Sequence, residues 1–368
     1  MFSDQWVLPQ SSSVPAALNA HILSRGTSPT PFAQVSAPPG EPAMTSRRDI
    51  LKSTLGAASM LTMGSSFAQA ETTKMVIPVA SGGLADILFR IIQDPLERLA
   101  GRPLVADYKP GGGGAIGLLQ TARAPADGTT LGWAYSGPMS TIPILRPSVG
   151  YDPRTDLTPV SLIMRTPSVF FGSMNLPVSD IAGLIAYAKS GGKEITCGNA
   201  AVGGLGHLTS VLLGLRADIK LLHVPYTGTP ALLTALMSGD LNIGTTAINT
   251  SIMKLVEDKR IKILGVASNG PSELVPGAMP VSQVLPGFKS EILYGAVAPK
   301  GTPRPIVERW NSAFVKVLSD KAIQAKYIQN SVIPMSSTPE QYSELIKAEY
   351  DQWADVIKRA GIDASAVR

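Results

Sequence analysis

Residues 74–99 read KMVIPVASGGLADILFRIIQDPLERL, and this stretch decides the fold. An apolar run from Lys74 to Ala80 stops at Ser81-Gly82-Gly83, and apolar residues then recur at spacings of three and four. That order predicts a strand, a tight turn and an amphipathic helix. Pro95 is expected to kink or divide the helix, because proline lacks the backbone donor that a helix interior needs.

The same alternation of strands and helices continues along the chain. Leu104–Tyr108 and Thr130–Tyr135 have the composition of strands, and a helical pattern at Ile116–Ala124 lies between them. From about residue 172 the scheme repeats, and Ser179 is expected to cap the first helix of this second series. Strands separated by helices predict parallel βαβ units, so the fold is interpreted as α/β with two lobes.

The C-terminal part of the sequence is predicted to return to the first lobe. A strand from Glu291 to Val297 is followed by two amphipathic helices, the first beginning at Thr302-Pro303. Thr338 and Gln341 have the spacing of a capping box at the start of the second helix. Two crossings between lobes are typical of a protein that closes on a ligand.

The composition excludes several classes of protein. Hydrophobic residues make up 44% of the 368 residues, which is enough to fill sizeable cores and excludes a disordered chain. The net charge of +5 includes no run of Lys or Arg that could neutralise nucleic-acid phosphates. A single cysteine, Cys197, excludes a disulfide framework and a cysteine-based zinc site, and three histidines argue against a histidine-rich metal centre.

The first seventy residues are interpreted as an N-terminal extension and a targeting signal rather than as part of the fold. Residues 1–43 are rich in Ser, Pro and Ala and are expected to be disordered. Residues 44–70 resemble a twin-arginine signal peptide, since an arginine pair precedes a short apolar stretch and Ala68-Gln69-Ala70 has the pattern of a cleavage site. The mature chain is expected in the periplasm, whether translation starts at Met1 or at Met44.

Four glycine-rich turns each join the predicted end of a strand to the start of a helix. The backbone N–H groups of such a turn point outward at the positive end of a helix dipole, where they attract anions. Glycine also serves any tight turn, and for a single loop that explanation suffices. Four loops at the carboxyl ends of strands favour a carboxylate site. The turns are Ser81-Gly82-Gly83, Gly111–Gly114, Cys197–Gly204 and Pro225–Gly228.

Catalytic motifs are weak by comparison. Gly112-x-Gly114-x-x-Gly117 matches a dinucleotide-binding fingerprint but lacks the acidic residue expected about 20 residues further on. His207 either caps its helix or contacts a ligand, and Asp86 either complements the helix dipole or, from its place beside the Gly82-Gly83 turn, has an orienting role in the binding site. Cys197 is interpreted as a core residue, because nothing nearby in sequence would lower its pKa. No catalytic residue, cofactor or metal is predicted.

Several motifs follow one another in a fixed order after the opening strand, turn and helix. They are Tyr108-Lys109-Pro110-Gly111-Gly112-Gly113-Gly114, Ala126-Asp127-Gly128, Tyr151-Asp152-Pro153, Gly203-Gly204-Leu205-Gly206-His207, His223-Val224-Pro225-Tyr226-Thr227-Gly228 and Ala298-Pro299-Lys300-Gly301-Thr302-Pro303. Together they resemble the Bug family, the extracytoplasmic solute-binding proteins of tripartite tricarboxylate transporters. The resemblance covers essentially the whole chain after residue 70.

The resemblance implies a type II periplasmic-binding-protein-like fold, with two doubly wound α/β lobes, a two-strand hinge and a ligand cleft between them. Lobe 1 is expected to comprise residues 71–171 and 293–368, and lobe 2 residues 172–292. The implied function is to capture a small organic carboxylate and deliver it, as a monomer without enzymatic activity, to integral membrane transporter subunits. The expected binding residues are Val79, Ala80, Ser81, Gly82, Gly83, Asp86, Gly112, Gly113, Ser136, Asn199, Ala201, Gly203, Gly204, His207, Tyr226, Thr227 and Thr246.

Departures from the family pattern concern the identity of the ligand. Thr246 stands where an aspartate is frequent, which argues against an amino-acid ligand, and Ala201 replaces a common glycine. Two alternative functions stay open. One is an extracytoplasmic sensor subunit with the same binding site, and the other is an α/β enzyme that uses His207.

Overall fold

Helices and strands alternate along residues 72–191 and 194–362, the part of the chain that the computed structural model describes. The segment 1–43, expected to be disordered, and the expected signal peptide 44–70 with its cleavage site lie outside these residues. Among the described helices, none is both long enough and apolar enough to cross a membrane.

The elements are numbered in chain order. The strands of the described residues are β1 (Thr73–Ile77), β2 (Leu104–Tyr108), β3 (Thr130–Tyr135), β4 (Leu157–Ser173), β5 (Ile195–Asn199), β6 (Leu221–Pro225), β7 (Ile243–Ala247), β8 (Ile261–Val266), β9 (Glu291–Pro299) and β10 (Ile333–Pro334). The helices are α1 (Leu84–Ala100), α2 (Ala115–Ala122), α3 (Ile142–Leu145), α4 (Ile181–Lys189), α5 (Leu205–Ala217), α6 (Thr229–Ser238), α7 (Thr250–Glu257), α8 (Arg304–Leu318), α9 (Lys321–Gln329) and α10 (Pro339–Ala360).

The strands form a mixed sheet in the order β2-β1-β3-β9-β4-β7-β5-β6, and β8 and β10 also pair with β4. β1 is parallel to β2 and β3, and β5 is parallel to β6 and β7, as the alternation of strands and helices predicts. β9 is antiparallel to β3 and β4. The parallel βαβ units therefore lie at the two ends of the sheet, and the antiparallel pair lies in its middle.

The long strand β4 divides the sheet into two halves. It pairs with β9 from Leu157 to Pro167, and with β7 and β8 from Ser168 to Ser173. We call β1, β2, β3, β9 and the start of β4 the first half, and β5 to β8 with the end of β4 the second half. The chain passes into the second half within β4 and returns to the first half at β9.

Each half has its own hydrophobic core, and the last helix packs on both. Trp133 and Trp310 are fully buried in the first half, where α1 and α8 cover the sheet. Along α10, Tyr342 belongs to a first-half cluster whereas Trp353 belongs to the second-half cluster. The capping box at its start is present, because Thr338 Oγ1 accepts a hydrogen bond from the Gln341 amide at 3.1 Å and Gln341 Oε1 accepts one from the Thr338 amide at 3.0 Å.

One local prediction is wrong, and one of the two outcomes expected at Pro95 is excluded. The N-cap of α4 is Asp180 rather than Ser179, and its Oδ1 accepts a hydrogen bond from the Gly183 amide at 2.7 Å. Pro95 does not divide α1, which runs unbroken from Leu84 to Ala100. Leu88, Phe89, Ile92 and Leu96 of that helix are fully buried, and the free energy of burying them offsets the missing backbone hydrogen bond.

Candidate functional site

A cavity of about 360 Å³ lies between the two halves of the sheet. Four segments form its wall: the glycine loop before α2, the chain that follows β3, the start of α5, and β9. The first two segments and β9 belong to the first half, and α5 belongs to the second. The lining residues are Gly112, Gly113, Tyr135, Ser136, Gly137, Thr141, Ile142, Leu145, Arg146, Ala201, Val202, Gly203, Gly204, Leu205, Ile292 and Tyr294.

The glycine loop brings bare main chain to the cavity. Gly113 and Gly114 have φ angles of +65° and +96°, in the left-handed region that glycine adopts most readily. A Cβ on Gly113 would lie 2.6 Å from the Ile142 side chain, and one on Gly114 would lie 2.5 Å from the Tyr135 hydroxyl. That hydroxyl donates a hydrogen bond to the Gly113 carbonyl at 2.6 Å, which ties the loop to the end of β3.

The chain after β3 forms a π-helical turn, Gly137–Thr141, and continues directly into the short helix α3. Ser136, at the start of the turn, is buried, and its Oγ accepts a hydrogen bond from the Leu293 amide of β9 at 2.9 Å. The rings of Tyr135 and Tyr294 stack across β3 and β9 at 5.5 Å with an interplanar angle of 25°. These contacts hold the turn against the middle of the sheet.

The second half contributes the N-terminus of α5. Its N-cap residue, Gly204, supplies no side-chain cap, so the positive end of the helix dipole faces the cavity through main chain. Behind the loop, His207 Nδ1 accepts a hydrogen bond from the Gly203 amide at 3.0 Å. Burial, together with the neighbouring ring of His223, lowers the pKa of His207 to about 4, so the imidazole is neutral at pH 7.

The electrostatic character of the wall favours an anion. Among the described residues that line the cavity, Arg146 is the one that carries a formal charge, and none is acidic. Burial raises the pKa of Tyr294 to about 12, so its hydroxyl keeps its proton and can donate a hydrogen bond. Within residues 72–191 and 194–362, no group of three or more His, Cys, Asp or Glu side chains could hold a metal ion. The wall therefore suits a negatively charged organic molecule better than a cation.

A family model described as "Tripartite tricarboxylate transporter family receptor" matches residues 88–362. The chain belongs to this family. The match includes every strand except β1 and every segment of the cavity wall, and it confirms the resemblance seen in the sequence motifs.

Individual relatives agree with that assignment. The protein BugT of Bordetella pertussis is 27% identical over 294 residues, covering 79% of this chain and 90% of its own. A solved R. palustris protein with adipate is 30% identical, with a TM-score of 0.66 and coverage of 79% and 98%. MatC from Rhodopseudomonas palustris with bound malate is 26% identical, with a TM-score of 0.62 and coverage of 78% and 98%. The expected two-lobed periplasmic-binding-protein fold is confirmed.

Six of the binding residues expected from the sequence of this receptor lie on the cavity wall. They come from both halves, and most are glycines that expose main chain. They are Gly112, Gly113, Ser136, Ala201, Gly203 and Gly204.

The first glycine turn, Val79–Gly83, does not line the cavity. Asp86 is buried beneath this turn and accepts hydrogen bonds from the Gly82 amide at 2.7 Å, from Arg90 Nε at 2.7 Å and from the Tyr108 hydroxyl at 2.6 Å. Burial acts to raise the pKa of Asp86, but these hydrogen bonds outweigh it and lower the pKa. Asp86 lies in the first turn of α1, where a carboxylate complements the helix dipole, and its hydrogen bond from the Gly82 amide also holds the turn in place.

The remaining expected residues of the second half do not line the cavity. Asn199 is buried, and its side chain bonds to Ser210 Oγ at 3.2 Å and to His223 Nδ1 at 3.3 Å. The amide of Tyr226 donates to the Asn199 carbonyl at 2.9 Å, and Thr246 pairs with β4. Neither these residues nor Thr227 and His207 are among the lining residues. Of the two roles considered for His207, the observed contact is the cap on the Gly203 amide.

Sequence reasoning missed the aliphatic and aromatic part of the wall. No glycine motif marks Ile142, Leu145 or Arg146, because they follow a π-helical turn that has no sequence periodicity of its own. Val202 lies within the glycine-rich turn Cys197–Gly204 and Leu205 directly follows it, but neither was expected to contact a ligand. The usable signal was positional: each of these residues follows the carboxyl end of a strand, where α/β sheets bind ligands. Tyr135, Gly137, Thr141, Ile292 and Tyr294 complete the set that was missed.

Proposed function

We propose that this receptor binds one small organic carboxylate in the cavity between the two halves and presents it to the membrane subunits of its transporter. The observation that carries the proposal is the wall itself, where glycine main chain, a helix N-terminus and one guanidinium surround about 360 Å³. The relatives solved with adipate and malate support a carboxylate ligand. The protein acts in the periplasm as a monomer and catalyses no reaction.

We expect the two halves to close on the ligand because the ligand binds the closed state more tightly than the open state. Gly112, Gly113 and Arg146 lie in the first half, and Ala201 to Leu205 in the second, so a ligand that touches both sets stabilises the closed state over the open one. We propose that residues 71–171 with 293–368, and residues 172–292, are the two bodies that move. The pairing of β4 changes from β9 to β7 between Pro167 and Ser168, close to the first of these boundaries.

A thermal-shift panel of mono-, di- and tricarboxylates tests the proposal. A ligand at about 100-fold above its dissociation constant adds about 2.7 kcal/mol to the free energy of unfolding, which raises the melting temperature by several degrees. Ala201→Trp should abolish the shift, because this exposed residue of the wall would place an indole in the cavity. Ala325→Trp, at an exposed position on α9, is the matched control and should keep it.

Two results would contradict the proposal. One is the absence of any shift across the panel together with the absence of a small molecule carried through native purification. The other is a shift that Ala201→Trp leaves unchanged.

A further inference from the structure

The second half contributes one unbroken stretch of chain to the cavity wall, residues 201–205. None of these residues has a polar side chain, so any polar contact that the stretch makes with a ligand is made by its main chain. Gly203, in its middle, has a φ angle of +74°, in the left-handed region. Main-chain groups are aimed by the backbone itself, so the contacts that fix this backbone decide how well the stretch fits a ligand.

Backbone hydrogen bonds fix the ends of the stretch and one turn within it. At the start, the Gly228 amide donates to the Ala200 carbonyl at 3.1 Å, and at the end, the Leu208 amide donates to the Gly204 carbonyl at 3.0 Å. Between them, the Gly204 amide donates to the Ala201 carbonyl at 3.2 Å. These bonds set where the stretch begins and ends, but they leave the direction of the amide inside the turn open.

The amide inside the turn is held by a side chain. The Gly203 N–H donates to His207 Nδ1 at 3.0 Å, and both residues are buried. Because Nδ1 accepts, the neutral ring carries its proton on Nε2. A buried amide without an acceptor is costly in free energy, so without this bond the turn would change shape to find another partner. His207 does not line the cavity, and its effect on a ligand passes through Gly203.

A second histidine restricts the orientation of the first. The rings of His207 and His223 meet edge to face, with centroids 5.0 Å apart and an interplanar angle of 78°. The side-chain nitrogen of Asn199 lies 3.3 Å from His223 Nδ1, and the side-chain oxygen of Asn199 accepts a hydrogen bond from Ser210 Oγ at 3.2 Å. These contacts keep the His207 ring in the place from which Nδ1 reaches the turn.

We propose that His207 is a positioning residue for the bound carboxylate: by accepting from the Gly203 amide, its Nδ1 holds the main chain of residues 201–205 in the shape that binds. The inference rests on the proposed function and deepens it. A wall that already has its binding shape loses less conformational entropy when a ligand orders it, which raises the affinity. This role requires an acceptor atom at the position of Nδ1 and does not require an imidazole.

Two amide side chains test where the acceptor must lie. His207→Asn places an oxygen at the position of Nδ1, whereas the oxygen of His207→Gln lies one atom further out, at the position of Nε2. Calorimetric titration of the parent with acetate, succinate, malate, adipate, citrate and the acids of the thermal-shift panel selects the tightest binder. That acid should bind His207→Asn within about threefold of the parent, and His207→Gln and His207→Ala about tenfold or more weakly.

Two further measurements separate positioning from a loss of stability. Leu213→Val changes a fully buried residue of the same helix that does not line the cavity. It should lower the melting temperature and leave the affinity within about twofold of the parent. Hydrogen exchange of the Gly203 amide, followed by NMR without any acid, should be slow in the parent and in His207→Asn, and about tenfold faster in His207→Gln.

The outcomes distinguish this inference from the proposed function. If His207→Asn binds as weakly as His207→Gln, if His207→Gln binds as tightly as the parent, or if Leu213→Val weakens binding as much as His207→Gln does, the positioning role is disproved and the carboxylate receptor stands. If none of these acids binds to the parent, the inference and the proposed function fail together.

Discussion

At the scale of single residues, Glu349 of α10 combines burial with charge. Its carboxyl is enclosed beside Ser136, which lines the ligand cavity, and one of its oxygens has no hydrogen-bond partner among the described residues. Burial raises the pKa of Glu349 to about 7, against the opposing effects of Ser136 and Lys289. Tyr342 lies two turns earlier on the same face of α10, and the Glu349 carboxylate acts with burial to raise the pKa of the Tyr342 hydroxyl. A group of this kind makes stability depend on pH.

Glu349→Gln should stabilise the receptor at high pH and much less at low pH. Between the usual carboxyl pKa of 4.5 and the raised value of about 7, the folded chain binds more protons than the unfolded one, so the contribution of Glu349 to stability falls as the pH rises. The gain in unfolding free energy at pH 8 over that at pH 5 should be on the order of 2 kcal/mol, measured by denaturant titration of the chain and its variant.

Two comparisons make this prediction specific. Glu344→Gln, at an exposed position of the same helix, should give a pH-independent difference. His207 has a pKa lowered to about 4, so its contribution rises with pH between about 4 and 6.5, but it is common to both proteins and cancels in the difference. A difference between Glu349→Gln and the parent that stays constant from pH 5 to pH 8 would refute the assignment.

At the scale of elements, α10 joins the two cores, so its ends affect the whole fold. Thr338→Ala removes the hydroxyl that accepts from the Gln341 amide and breaks the capping box. The free energy of unfolding should fall by about 1 kcal/mol, measured by chemical denaturation. Thr72→Ala, at an exposed position before β1, is the control. An equal loss in both variants would show that the cap contributes nothing.

The same scale shows what could be predicted from sequence. Strands such as Thr130–Tyr135 and the capping box of α10 were predictable, because periodicity and cap chemistry are local. The length of β4 was not, since most of its residues are buried on both faces and show no alternation. The short helix α3 was missed because four residues carry no period. Ser179 and Asp180 are both good caps, and only the backbone path decides between them.

At the scale of the whole molecule, the glycine turns were predictable but their convergence was not. Gly111–Gly114 and the loop before α5 meet across the cavity, whereas Val79–Gly83 and Pro225–Gly228 do not line it. Sequence marks each turn as a place where main chain is exposed, but the relative position of turns from different halves depends on β4 and β9. Apolar wall residues such as Leu145 are indistinguishable in sequence from residues of the core.

The crystal structure of the receptor with the carboxylate that gives the largest thermal shift tests the central claim most directly. The account predicts a ligand inside the cavity, with its carboxylate within hydrogen-bond distance of the Gly112–Gly113 main chain or Arg146 and with contacts to Ala201–Leu205 as well. A ligand bound elsewhere on the molecule, or held by one half alone, would contradict it.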